Sequence, residues 1–166
     1  ITTSGTVSID GVDFQNGRAS GGTGAYGGGA INFSGGGTLE ISNSEFIANT
    51  SADRGGAIFF TDGTLNISDS LFQDNQSSDD GAGIATDEDS TTTIILENTD
   101  FDNNDTGDNG GALYVKKGTL DITGGTFQNN DADDDGGVIA VDSSSGNDVD
   151  ITITGGTYSN NTAGDD

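Results

Sequence analysis

The chain contains no cysteine, histidine, proline, methionine or tryptophan, and only 4 basic residues against 28 acidic ones in 166 positions. Each absence closes a class of function. Without cysteine there is no disulfide framework, no zinc–thiolate site and no thiol redox chemistry. Without histidine the commonest general base and metal ligand is missing. The formal net charge of -24 speaks against nucleic acid as a partner, because phosphate binding requires clustered cations. It points instead to divalent cations, a high-salt habitat, or surfaces held apart by repulsion. No apolar run approaches the ~20 residues of a membrane span and no signal peptide is visible, so this segment is not expected to insert into a membrane. The lack of methionine leads us to expect a processed chain or an excised fragment.

Glycine, by contrast, is abundant, with 29 copies. High glycine and high charge are also the composition of disordered segments. Here, however, apolar residues recur in strict register. The stretch Gly37 to Asp62 is repeated at once from Gly63 to Ser90, with Leu39 over Leu65, Phe46 over Phe72, Asn49 over Asn75 and Gly55 over Gly81. Six copies align, approximately 5–36, 37–62, 63–90, 91–117, 118–148 and a truncated 149–166.

Every copy opens on an apolar pair in strand alternation: Val7/Ile9, Leu39/Ile41, Leu65/Ile67, Ile94/Leu96, Leu120/Ile122 and Ile151/Ile153. Seven residues after its first member stands an aromatic: Phe14, Phe46, Phe72, Phe101, Phe127 and Tyr158. Between them Gly11, Asn43, Asp69, Asn98, Gly124 and Gly155 mark a turn, being the residue types that visit positive φ readily. A third strand follows a glycine pair, with Ile31/Phe33, Ile58/Phe60, Ile84/Thr86, Leu113/Val115 and Ile139/Val141 facing inward. Three short strands cannot bury their apolar faces alone, but parallel stacking about 4.8 Å apart turns like side chains into ladders. We therefore expect an all-β fold, a right-handed parallel β-helix (solenoid) of about six rungs of three short strands. A propeller would need four strands per blade, and no helical period is sustained. Length varies only at loops, in GRASGGTGAYG of the first copy and in TDEDSTT and VDSSSGNDV after the third strands.

The repeat resembles that of the polymorphic outer membrane proteins, a GGAI … FxxN family of surface proteins. The GGAI element reads Gly28-Gly29-Ala30-Ile31 and Gly55-Gly56-Ala57-Ile58, and is degenerate at Gly81, Gly110 and Gly136. FxxN reads Phe46…Asn49, Phe72…Asn75, Phe101…Asn104 and Phe127…Asn130, with Tyr158…Asn161 close to it; the first copy departs as Phe14-Gln15-Asn16-Gly17. The resemblance implies an extracellular, cell-surface, adhesin-like segment. Its partners would be itself, by end-to-end or lateral assembly, or a host or neighbouring cell surface.

Chemistry is sparse. Four residues after each FxxN asparagine stand Asp53, Asp79, Asp108, Asp134 and Asp165. Stacked at rung spacing they repel by about 1 kcal/mol per pair in water-like dielectric. Either Ca²⁺ relieves this, binding through carboxylates, carbonyls and water, or bulk cations screen it. Asp131 to Asp142 matches an EF-hand loop loosely but lacks flanking helices, and the repeat register already accounts for Gly136. Asn49, Asn75, Asn104, Asn130 and Asn161 are read as an inner ladder bonding backbone groups at the turn. Asn32, Asn49, Asn66, Asn75, Asn104 and Asn160 begin N-x-S/T sequons. The outward threonines Thr6, Thr38, Thr64, Thr93 and Thr119 have no second regular column beside them, which excludes a flat ice-binding face. Phe59 and Tyr114, both expected to point outward, are candidates for a lateral contact. No residue set breaks the repeat as a catalytic site would, so an enzyme is not expected. The alternative is a carbohydrate-binding or carbohydrate-cleaving β-helix, which a groove lined by aromatics and acids from adjacent rungs would favour.

Overall fold

The structure, a computed structural model, describes residues 1–21, 27–87, 91–142, 146 and 148–164. These wind into a right-handed parallel β-helix with four sheets, three of six strands and one of five. Rung two shows the pattern. Thr38–Ser42 lies in the first sheet, Glu45–Ile47 in the second, Thr50–Ser51 in the third and Ile58–Phe60 in the fourth. The three strands read from the sequence are present, and a two-residue strand stands between the second and the last of them. It is too short to carry an alternation of its own, which is why periodicity does not reveal it.

Three backbone corners in each of copies two to five produce this cross-section. The first is the column Gly11, Asn43, Asp69, Asn98, Gly124 and Gly155, all with φ between 46° and 73°. The second is Asn16, Ala48, Asp74, Asn103, Asn129 and Asn160, with φ between 53° and 56°. The third is the leading glycine of the pair, Gly55, Gly81, Gly110 and Gly136, with φ between 63° and 73°. The first copy keeps the second corner at Asn16 despite its altered motif, and Gly17 N–H donates to Asn49 Oδ1 at 2.9 Å.

Strict register carries every inward column into a ladder. Leu39 pairs with Leu65, Phe46 with Phe72 and Ile58 with Ile84. The phenylalanines from Phe14 to Phe127 and then Tyr158 stack with centroids 4.6 to 5.1 Å apart and planes within 11° of parallel. Phe33 and Phe60 form a second stack at 5.3 Å. In the middle rungs these side chains are fully buried. The last rung is different. Ile151, Ile153 and Tyr158 are exposed, and so is Val141 at the end of the fourth sheet, although it was expected to face inward. No described rung lies above them, and a ladder buries a side chain only from both sides.

Candidate functional site

The FxxN asparagines lie inside the coil, completely buried from Asn49 to Asn130. Asn75 shows how the ladder works. Its Nδ2 donates to Phe46 O at 2.9 Å and to Asn104 Oδ1 at 2.9 Å, while its Oδ1 accepts from both N–H and Nδ2 of Asn49 at 3.0 Å. All four hydrogen-bonding capacities of the amide are used, as burial requires. The same pattern runs through Asn104 and Asn130 to Asn161. A second polar ladder went unread in the sequence. Ser44 Oγ accepts from Val12 N–H and Ser70 Oγ from Ser44 N–H, both at 3.1 Å, beside the buried Thr99. Its signal was a small hydroxyl residue just after the first corner. These ladders are structural, and because they are buried, the sequons at Asn49, Asn75 and Asn104 are closed to glycans. Asn32 and Asn160 are exposed.

The aspartate column does come together before the third corner. Asp79 N–H donates to Asp53 O and Asp134 N–H to Asp108 O. Asp165 lies outside the described residues. The neighbouring column supplies part of the relief expected from a cation. Arg54 Nε meets Asp80 Oδ2 at 2.9 Å, with both side chains largely buried. Asn109 Nδ2 donates to Asp80 Oδ1 at 3.1 Å and to Asp108 Oδ1 at 2.9 Å. Asn109 Oδ1 in turn accepts from Asp135 N–H at 3.2 Å. Burial pushes the Asp108 carboxyl up to about 6, helped by a hydrogen bond with Asp134 and by the charges of Asp80, Asp134 and Asp79. Asp53 is raised by burial and by Asp79. Among the described residues no three acidic side chains gather as an ion would need. The described aspartates of the column thus stack rung over rung without converging as a three-carboxylate cluster. The EF-hand-like stretch divides between the strand Asp131–Ala132 and the Gly136 corner, and its Asp142 pairs with Lys116 at 3.6 Å.

Phe59 and Tyr114 do not offer the lateral contact expected of them. They sit on the outer face of the fourth sheet, yet they are only 2% and 8% exposed. With Ala85 and Ala140 they form a small apolar cluster outside the main core. Arg54 and Lys116 cover Tyr114, their charged groups 6.0 and 5.8 Å from the ring centroid. Half of the chain's basic residues thus converge on one tyrosine, a grouping that spans three rungs and leaves no trace in a linear reading. Next to it opens a pocket of about 390 Å³, bounded by Tyr114, Asn109, Asp135, Ala140 and Asp142.

A second concavity, of about 480 Å³, lies on the outer face of the first sheet between Glu40, Asn66, Ile95 and Glu97. Ile95 is 40% exposed there, and both glutamates are exposed. Among the described residues no helix is long and apolar enough to cross a membrane.

Comparison with curated proteins and with solved structures gives no match. A family model does match, that of the right-handed beta helix region, over residues 1–157. With its four parallel sheets and continuous inner ladders, the chain belongs to the right-handed β-helix family.

Proposed function

We propose that the chain is a structural, adhesin-like segment displayed outside the cell, of the kind that polymorphic outer membrane protein repeats build. It acts by self-association or by contact with another surface, and catalyses no reaction. The observation that carries this reading is the unbroken run of the asparagine ladder from Asn49 to Asn161 and of the aromatic stack from Phe14 to Tyr158, in which no described rung puts a catalytic group. Active sites are places where local folding rules are broken, and a rod whose described rungs keep one inner pattern from Asn49 to Asn161 is suited to holding surfaces at a distance.

Sedimentation velocity over a concentration series, together with binding of the fluorescent chain to intact cells and to immobilised chain, tests this. Concentration-dependent association or saturable surface binding is expected. A strictly monomeric chain that binds neither overturns the reading. The first-sheet groove favours a second one, a carbohydrate-binding or carbohydrate-cleaving β-helix, because Glu40 and Glu97 flank an exposed apolar plate at Ile95. Release of reducing ends from acidic or neutral polysaccharides would establish the cleaving form. Its loss in both Glu40→Gln and Glu97→Gln would place it in that groove.

A further inference from the structure

The described coil has a lower and an upper face, and the two fit each other. Below, the parallel bridge of Thr2 to Ser34 sets residues 1–3 in a fourth-sheet place, with Ser34 N–H donating to Ile1 O and Thr3 N–H to Ser34 O, both at 2.9 Å. With that bridge all four sheets are six levels high. The coil thus opens in the fourth sheet and reaches its upper face in the third, at Thr162–Ala163. The level that comes next is again a fourth-sheet level, the one on which the lower face opens. Among the described residues seven large apolar side chains are exposed, and five of them stand at these faces: Ile1 below, and Val141, Ile151, Ile153 and Tyr158 above.

The register says what each of these side chains would meet. The columns that open with Val7 and Ile9 end at Ile151 and Ile153, and the aromatic stack runs from Phe14 to Tyr158. Ile1 opens the column of Phe33 and Phe60, which ends at Val141. A second lower face set on the upper one at strand spacing, about 4.8 Å, therefore puts Ile1 on Val141, Val7 on Ile151, Ile9 on Ile153 and Phe14 on Tyr158. The charges fit as well. Thr6 falls on Asp150 and Asp10 on Thr154. Asp13 falls on Thr157 and Arg18 on Thr162. In these pairs each charged residue meets a hydroxyl and no acid meets an acid, as Asp105 meets Asp131 inside the coil. Arg18 moreover brings a cation to the column that holds both of those exposed aspartates.

We propose that copies of this chain assemble head to tail, the first rung of one seated in register on the last rung of the next. Gly5 O accepts from Thr38 N–H and Gly11 N–H donates to Ser42 O, so the alternate backbone groups of Thr6, Ser8 and Asp10 face the lower end. There they meet the upper edge of Val149–Thr154, as a strand added to a sheet edge does. The two faces differ, so the contact is heterologous, and along the coil axis it builds a filament rather than a ring. Only the asparagine ladder breaks at the junction, since Gly17 takes the place in the first rung that Asn49 has in the second. The junction is thus weaker than an internal rung, and the assembly is reversible. The net charge of -24 opposes association, and salt favours it. This inference rests on the self-association half of the proposed function and names the partner and the faces that meet.

Sedimentation velocity over a concentration series, at low salt and at about 0.5 M NaCl, where charges more than ~5 Å apart are largely screened, tests this with two blocked variants. Ile153→Lys places a charge in the upper face, at a side chain already exposed. Val7→Lys does the same to the lower face, and its melting curve shows whether the fold is kept. If it is not, Ser8→Pro takes its place, removing a backbone donor from the lower edge. The parent chain is expected to grow past the dimer as concentration rises, and more readily in salt. Each variant alone should stay monomeric at concentrations about tenfold above those at which the parent associates. Mixed in equal amounts the two should form a dimer and stop there, because each keeps the face that the other lacks. A parent that stops at the dimer, or one variant that dimerises alone, would overturn the proposal in favour of a face that meets its own like. Association kept in both variants would also overturn it, moving the contact to the sides of the coil and leaving self-association standing. A mixture that stays monomeric refutes the contact outright. A parent that is monomeric throughout yet binds cells refutes this inference and leaves the surface-contact reading intact.

Discussion

Asn75 and Ala48 mark the two ends of what one residue contributes to this fold. Asn75 makes five hydrogen bonds, to Asn49, Phe46 and Asn104, from a completely buried position inside the coil. Asn75→Asp keeps the shape but replaces the donating amide by a carboxylate facing Phe46 O and Asn104 Oδ1. We expect a loss of about 3 kcal/mol or more at neutral pH, measured by urea unfolding. The loss should shrink on acidification, when the protonated acid donates one bond again. A loss independent of pH would mean that water reaches the ladder. Ala48 is the only residue in its column that is not Asn or Asp, although its φ of 53° belongs to the left-handed region. In other rungs side chains of this column bond to the rung below, Asn103 Nδ2 to Asp74 Oδ1 at 2.6 Å within the column and Asn129 Nδ2 to Asp102 Oδ1, just before it, at 2.9 Å. Ala48→Asn should therefore stabilise by roughly 0.5–1 kcal/mol, by relieving part of a left-handed backbone penalty of about 1–2 kcal/mol. An unchanged or lowered melting temperature would show that Ala48 carries no such strain.

Within the sheets, the unit of stability is the ladder rather than the strand. The third-sheet strands are only two residues long and hold together because their neighbours are in register. Truncation of Phe72, stacked on both faces at 4.6 and 4.7 Å, should cost about 3–5 kcal/mol and loosen the rungs on either side. The corners add a charge effect that depends on pH. Asp108 is raised to about 6 in the folded chain, against about 3.9 when unfolded. The folded state thus holds its proton more tightly. The resulting stabilisation is complete below about pH 4 and is lost as pH rises through about 6. Asp53 acts in the same direction. Asp10 acts in the opposite one, because hydrogen bonds from Asn43 and Ser42 lower its pKa, and its contribution is lost at low pH. A melting temperature that rises as pH falls from about 7 to about 5 is expected, together with a flatter profile in Asp108→Asn. An Asp108→Asn profile as steep as the parent's would place the effect elsewhere.

At the scale of the molecule, a rod with a charge of -24 is stabilised by anything that screens it. The Arg54–Asp80 pair and the Asn109 bridges relieve the aspartate column only locally. Added salt should therefore raise the melting temperature, and CaCl₂ should do no more than NaCl of equal ionic strength. A rise specific to Ca²⁺, reversed by EDTA, would make metal sites of the column containing Asp53, Asp79, Asp108 and Asp134. Breaking the Arg54–Asp80 pair by Arg54→Met should cost about 3 kcal/mol, because it strands a buried carboxylate. It should also release the Tyr114 ring, visible as a change in tyrosine fluorescence.

The linear chain alone determined the repeat, the coil and the inward columns. Phenylalanine, isoleucine and asparagine recur at one spacing, and stacked parallel strands turn a spacing into a ladder. It determined the first corner as well, since only Gly, Asn and Asp fill that column. The two-residue strands were too short for any period to register. The depth of Phe59 and Tyr114 was hidden too, because alternation says which face a side chain takes but not what lies over it. Tertiary structure decided that Arg54, Asp80, Tyr114, Lys116 and Asp142, spread over 89 positions from Arg54 to Asp142, meet on one outer face. The coil brings every rung back to the same face, so residues that share no local pattern become neighbours, and the pocket exists only there.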